Sequence, residues 1–517
     1  MSTRRLTEAP ASTRCCAELH CPSHQPDCRL PDTRGTPWRT SHMSMIELDN
    51  PFTGERLFSV PSESLEDVRR SIASMRGAAR TWAKRSPAGR AAHLLRALDY
   101  FRAHKDEIAR DVTREMGKPI DAAAAEVDYM IERAEFMCRF ATDGALAPHD
   151  LARYHTNDFA GRIEFVPKGV VYIITPWNYP LFCAINGTMC ALLAGSAVLL
   201  KHTTTPSVGR HFERAFGETG GIGPLLVNVT VDYDVSARII EQADIDHVVF
   251  TGSVQGGRAI QTSVARRASQ PVRKPFIGMS LELGSNDAAF IAEDADLDGA
   301  VEWTVKIGRL HNSGQSCCAV KRVFVHESLH DRFLDAAARV MREQRCGDPM
   351  QPDTTLGPLF GGKRAVEDLT RMIDDARAKG ATVVTGGNTE RIGGALFLSP
   401  TLLSEVTPDM AVMSEETFGP VLPVMRVASD ERAIELVNAS RYGLSASIFT
   451  RSRERAQRFI DETETGTVYV NRCNFVDARL GWIGHKNSGN GSIALSPLGL
   501  RAYSDLRSVN IDPTLLR

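Results

Sequence analysis

The chain has 517 residues, too many for one hydrophobic core, and so implies two or three domains. Its 61 lysines and arginines nearly balance 63 acids, and a net charge of −2 provides neither a basic field for nucleic acid nor an acidic excess of the disordered kind. Hydrophobic residues make up 43%, yet no uninterrupted apolar run reaches the roughly 18 residues that a membrane helix needs, so a membrane partner is also excluded.

Residues 1–42 hold Pro, Ser, Thr, Arg and His with almost no apolar periodicity, and read as a disordered extension. Four of the eleven cysteines (Cys15, Cys16, Cys21 and Cys28) fall here beside His20 and His24, but without the paired Cys-x-x-Cys spacing of a zinc site, so no metal is expected. The other seven are scattered and odd in number, which suits a reducing, cytoplasmic setting better than a disulfide framework.

From residue 46 the pattern is mixed α/β. Asn50-Pro51-Phe52-Thr53-Gly54-Glu55 reads as a turn leading into a short strand. Helical periodicity covers 64–91, with Val68, Ile72 and Met75 on one face, then 91–116 and 120–140, the last two parted by Gly117-Lys118-Pro119. Beyond residue 162, apolar strands at 170–174, 197–200, 226–229, 247–250 and 287–291 alternate with helical stretches, as in parallel sheets covered on both faces. A second series follows: a strand at 322–326, helices at 329–345 and 363–379, and a strand at 382–385. Short strand candidates at 467–471 and 502–509 close the chain. Four cationic residues between 265 and 280 (Arg266, Arg267, Arg273 and Lys274) read most simply as a solvated loop.

Three stretches carry chemistry. In Gly314-Gln315-Ser316-Cys317-Cys318, Cys317 follows small and polar residues at an expected helix edge, where a thiol is exposed and its pKa lowered. Glu282, between Leu281 and Leu283 at a strand end, is either an edge charge or a buried acid raised enough to act as a general base toward water. Pro176 and Pro180 bracket Trp177-Asn178-Tyr179, so the Asn178 amide can be a preorganised oxyanion donor; a plain rigid turn is the simpler reading of that loop alone.

These stretches, with Lys201, Phe250-Thr251-Gly252-Ser253, Glu282-Leu283-Gly284 and Glu415-Glu416-Thr417-Phe418-Gly419-Pro420, stand in the order found in the aldehyde dehydrogenase superfamily. The chain resembles that family from residue 46 to its end. The resemblance implies an α/β fold with two doubly wound parallel-sheet domains and a small oligomerisation hairpin. It divides the chain into an NAD(P)-binding domain at 43–284, with 150–168 contributing to the hairpin, a catalytic domain at 285–475, and a returning segment at 476–517. It implies a homodimer or homotetramer that oxidises an aldehyde to its acid with NAD or NADP. Cys317 would be the nucleophile, Asn178 and the Cys317 N–H the oxyanion donors, and Glu282 the base that hydrolyses the thioester. Trp177, Lys201, Gly252, Ser253, Glu416 and Phe418 would bind the cofactor, with Gly252 allowing the turn and Gly256-Gly257 close packing. Cys318 would be structural.

The sequence also departs from the family pattern. The position three after Lys201, often Glu in NAD-preferring members, is Thr204, which removes repulsion against a 2′-phosphate. Ser285 replaces a glycine, Gly187 a helix lysine placed on a proton path, and Ile483 a glycine at the substrate mouth. An acylating relative that passes the thioester to coenzyme A, or a non-catalytic member of the same fold, are the alternatives; the presence of Glu282 speaks against the first and the intact Cys317, Asn178 and Glu282 against the second.

Overall fold

Two serines punctuate the start of the folded chain in the computed structural model, which describes residues 44–156, 158–218 and 221–516. Ser64 caps α1 (Leu65–Ala83) through a capping box with Asp67, and Ser86 caps α2 (Pro87–Ala103). The helix expected over 64–91 is therefore two. Proline lacks the N–H of an interior helical bond but suits a first turn, so the chain restarts at Pro87. The stretch 91–116 likewise divides at His104, where α3 (Lys105–Met116) begins. That helix ends on Gly117, left-handed at φ 80°, and α4 (Ile120–Thr142) follows Pro119 as the periodicity predicts. Residues 1–42, with the extension and cysteine–histidine cluster expected there, lie outside the described residues.

Five parallel strands form the first sheet, in the order Leu226–Val229, Ala197–Lys201, Val170–Ile174, His247–Thr251, Gly278–Glu282. The connecting helices are α5 (Pro180–Ala194), α6 (Pro206–Phe216), α7 (Tyr233–Gln242) and α8 (Val254–Arg267). Alternation along one strand divides its side chains between two cores. Val171 and Ile173 pack with α2, α4 and α5, whereas Val170, Tyr172 and Ile174 pack with α1 and α7. The order reverses between Val170–Ile174 and His247–Thr251, and a crevice opens beyond the strand ends at such a point.

The second sheet has seven strands, ordered Thr382–Thr385, Thr401–Ser404, Val421–Val427, Arg322–His326, Ala288–Ile291, Ser445–Phe449, Thr467–Val470. Only the pairing of the first two is antiparallel. The chain's end is a helix, Ser496–Ala502, and a strand, Ser504–Ile511, that pairs along its whole length with Ala160–Pro167, which also holds His149–Asp150. No helix among the described residues is long and apolar enough to cross a membrane.

The expected solvated loop at 265–280 is corrected at its centre. Arg267 is fully buried, and its guanidinium donates to the carbonyls of Ile240, Ala243, Ile245 and Lys274 at 2.8–3.1 Å. Carbonyls at the end of α7 have no partner within the helix, and Arg267 supplies one. Arg273 and Lys274 also have partners, in Asp244 and Asp505 at 2.8 and 3.1 Å. Arg267→Met should therefore lower stability by about 3 kcal/mol, because the buried carbonyls of Ile240 and Ile245 and the part-buried one of Lys274 lose this donor at once and that of Ala243 keeps only the Ile245 N–H. A lower urea midpoint at unchanged slope is the expected reading; an unshifted midpoint would contradict it.

Candidate active site

Both strands at the sheet's reversal point feed loops into one cavity of about 230 Å³. Its walls are Pro176, Trp177 and Asn178 from the first loop, Thr251, Gly252 and Ser253 from the second, and Leu283, Gly284, Cys317, Glu416 and Phe418. Seven of the nine site residues expected from sequence thus share one wall. Lys201 and Glu282 are the two that do not line it.

Tertiary contacts, more than the two prolines, hold the Asn178 loop. The Glu126 carboxylate on α4 accepts from the N–H groups of Leu181 and Phe182 at 3.0 and 3.2 Å, so it caps the start of α5. Lys118 forms a wholly buried ion pair with Glu126 and lies 4.1 Å over the Tyr179 ring. The buried Asn312 side chain donates to the Asn178 carbonyl at 2.8 Å and to the Gln315 carbonyl at 3.2 Å, tying the Asn178 loop to that of Cys317. Trp177 stacks on Phe360 at 4.4 Å and meets Phe418 edge-on at 5.7 Å.

Cys317 does not sit at a helix edge. The chain approaches it through a stretch of π-helix, Glu302–Leu310, then through three left-handed residues, Asn312, Ser313 and Gly314, at φ 53°, 54° and 75°. Consecutive left-handed conformations store strain that the surroundings must hold, here through Asn312 and through the Gln315 side chain, which accepts from the Phe360 N–H at 2.8 Å. Cys317 is partly buried, and a hydrogen bond to Cys318 together with burial pushes its thiol up, the reverse of the lowering expected for an exposed helix-edge cysteine. Cys318 is buried, 3.0 Å from the Asn474 side-chain oxygen, and does not line the cavity.

Glu282 ends the last strand of the first sheet, where the returning segment 482–489 crosses it: Glu282 pairs with Gly489, and the Leu283 N–H donates to the Ser488 carbonyl at 2.8 Å. Burial raises its carboxyl from the usual carboxylate range to about 7, against the pull of Arg133. Sequence reasoning overlooked Arg133. It is a buried α4 residue that donates to the Asn186 side chain and the Val476 carbonyl, both at 3.0 Å. Its signal was legible, a cation on the same stripe as Met130 and Met137.

Glycines shape the cavity by approach rather than by turning. Gly252 has no left-handed φ, contrary to the turn role expected for it; a Cβ there would lie 2.6 Å from the Phe250 ring. At Gly284 a Cβ would strike the Glu416 carboxylate, which accepts instead from the Ser285 N–H at 2.9 Å. Ser253 caps α8 through a bond from Gly256 N–H, so a 14-residue helix presents its N-terminus to the cavity. Lys201 ends the strand next to Val170–Ile174 and is buried; burial lowers its amine to about 8 although Asp232 opposes this. It donates to Thr203 at 2.7 Å, and the neighbouring Thr204 hydroxyl is buried without a partner. A lysine at Gly187 would press against Ile173, 3.0 Å from its first side-chain carbon.

A cysteine and an amide face a helix N-terminus across the switch point of a doubly wound α/β sheet, where N–H groups and helix dipole favour an anion. The family described as the aldehyde dehydrogenase family matches residues 38–509, and the chain belongs to it. A succinate-semialdehyde dehydrogenase [NADP(+)] of Deinococcus radiodurans is 34% identical over 90% of this chain and 94% of its own length. Lactaldehyde dehydrogenase from Escherichia coli superposes with a TM-score of 0.84 at 29% identity, over 92% of this chain and 97% of that one. Succinic semialdehyde dehydrogenase from Streptococcus pyogenes, solved with NADP+, gives a TM-score of 0.83 at 28% identity, over 90% and 99%. The fold is that of an aldehyde dehydrogenase, and the chain is an enzyme.

Proposed function

We propose that this enzyme oxidises an aldehyde to its carboxylic acid, with NADP or NAD, through a thioester on Cys317. The observation that carries this reading is the single cavity shared by Cys317, Asn178, Glu416, Phe418 and the α8 N-terminus. The donor set suits a dinucleotide: N–H groups and helix dipole at Ser253 for the pyrophosphate, Glu416 for a ribose, and Trp177 and Phe418 as apolar walls. Lys201 would reach the adenosine ribose. With no carboxylate from Lys201 to Thr204, and with the Thr204 hydroxyl unpartnered, that end also accommodates a 2′-phosphate.

In the reaction the Cys317 thiolate attacks the carbonyl carbon, while the Asn178 amide and the Cys317 N–H hold the developing oxyanion. The bound nicotinamide supplies the acceptor for hydride, and a thioester remains on Cys317. Glu282, ionised, then takes a proton from water as the water attacks the thioester, releasing the acid and restoring the thiol. We rank succinate semialdehyde first among substrates, on the names of the relatives.

On this reading 43–284 is the cofactor domain, 285–475 the catalytic domain and 476–517 the returning segment. The exposed Leu506 on the terminal strand supports assembly with a second copy, and seven free cysteines among the described residues support a reducing, cytoplasmic setting. Purified protein offered a panel of aliphatic, aromatic and acidic aldehydes should reduce NADP or NAD, read at the reduced-nicotinamide band. Lys201→Ala should raise KM for NADP about tenfold and for NAD less, since only the former has a 2′-phosphate to pair. Failure to reduce either cofactor with any aldehyde, by protein that still binds it, would sink the proposal.

A further inference from the structure

Lys321 stands four residues beyond the nucleophile and is completely enclosed. Its ammonium donates to the Ser285 hydroxyl at 2.8 Å and to the Ser316 carbonyl at 2.9 Å, and also to the Cys317 carbonyl. The Ser285 hydroxyl donates to that same Cys317 carbonyl. On the other side Glu416 lies 3.5 Å from the ammonium and accepts from the Ser285 N–H. Serine at 285 thus departs from the family's glycine where its hydroxyl completes a network. A buried ammonium carries a heavy desolvation cost, and two of its contacts fall directly on the peptides flanking one cysteine, with a third reaching the same Cys317 carbonyl through Ser285.

We propose that Lys321 and Ser285 form a positioning bridge. It holds the two peptides that flank Cys317 and joins them to Glu416, so that cofactor binding and thiol reactivity act on each other. The inference rests on Cys317 as the nucleophile and Glu416 as a cofactor residue. In a trans peptide the carbonyl and the next N–H point in opposite directions on one plane. Holding the Ser316 carbonyl therefore aims the Cys317 N–H, the proposed oxyanion donor, away from Lys321. The cation also favours the thiolate, opposing the neighbouring Cys318 and Cys183 thiols, which disfavour it. Lys321 itself faces the carboxylates of Glu416 and Asp287. A ribose hydroxyl accepted by Glu416 would draw on the carboxylate that Lys321 and Ser285 now share.

The test is the pH profile of Cys317 alkylation by iodoacetamide in the full chain, followed by mass spectrometry with and without NADP, beside kcat and KM. In Lys321→Met the midpoint should rise by about 1 in pH, and the difference that NADP makes to it should disappear. Misplacement of the nucleophile should lower kcat by about 10–100-fold and leave the aldehyde KM within about threefold. Lys321→Arg should recover part of the midpoint, and Ser285→Ala should move it in the same direction by less. A folded Lys321→Met with the wild-type profile overturns the bridge. Should that variant not fold, an unmoved profile and kcat in Ser285→Ala overturn it equally. Cys317→Ser separates the two readings: if it stays active, the thioester proposal falls, whereas a dead Cys317→Ser with unmoved profiles removes only the bridge.

Discussion

Cys317→Ser is expected to abolish turnover, with a loss on the order of 10⁴-fold or more in kcat. A serine hydroxyl is far less acidic than a thiol, and the cavity supplies no imidazole to activate it. Even the native thiol is pushed up by its bond to Cys318 and by burial, so little margin exists for a poorer nucleophile. Binding of NADP, followed by quenching of protein fluorescence, should survive the change because Lys201, Ser253 and Glu416 are untouched. The control is Cys318→Ala. Cys318 is buried against Asn474 and lies off the cavity wall, so its loss should cost far less activity. Reversed outcomes for the two cysteines would move the nucleophile to Cys318.

The second large effect belongs to Glu282. In Glu282→Gln, the aldehyde should still acylate Cys317, giving one burst of reduced cofactor per site and then almost no steady-state turnover. An amide cannot accept the proton of the attacking water, and general base catalysis is worth about 10²–10⁴-fold. The pH profile supplies an independent check. Burial raises the Glu282 carboxyl from 4.5 to about 7, so the group is neutral and idle at pH 5, half ionised near 7 and an active base at 8. Deacylation in the wild type should therefore rise with pH through a midpoint near 7, and that limb should vanish in the glutamine variant. Steady turnover of Glu282→Gln within about tenfold of wild type would assign deacylation to another group.

The candidate residues were legible because their motifs are local and stand in order. Singly, Cys317, Glu282 and the Pro-bracketed Asn178 each have a plain structural reading; together with the other motifs they match a family pattern, and alternation of strands and helices placed all three in a parallel α/β fold. Period-2 and period-3.6 patterns survive in any context that buries one face, which is why the strands at 170–174, 226–229 and 322–326 were found at their true bounds. The misplaced helix breaks came from reading periodicity across Ser86-Pro87, a restart signal that the apolar spacing conceals.

What the linear order could not convey was the environment of those groups. Burial reverses the expected shift of the Cys317 thiol, and it turns Arg267 from a loop charge into a helix-end donor. Partners distant in the chain act on one site: Glu126 on residues 181 and 182, Asn312 on Asn178, Glu416 on Ser285, and Arg133 on Glu282. Residue type and spacing, set by short-range sterics, thus determined by sequence alone the candidate groups and the elements that carry them. Desolvation and hydrogen bonding depend on every atom within a few ångströms, whatever its place in the chain, so only the tertiary structure decided how those groups are held, charged and linked.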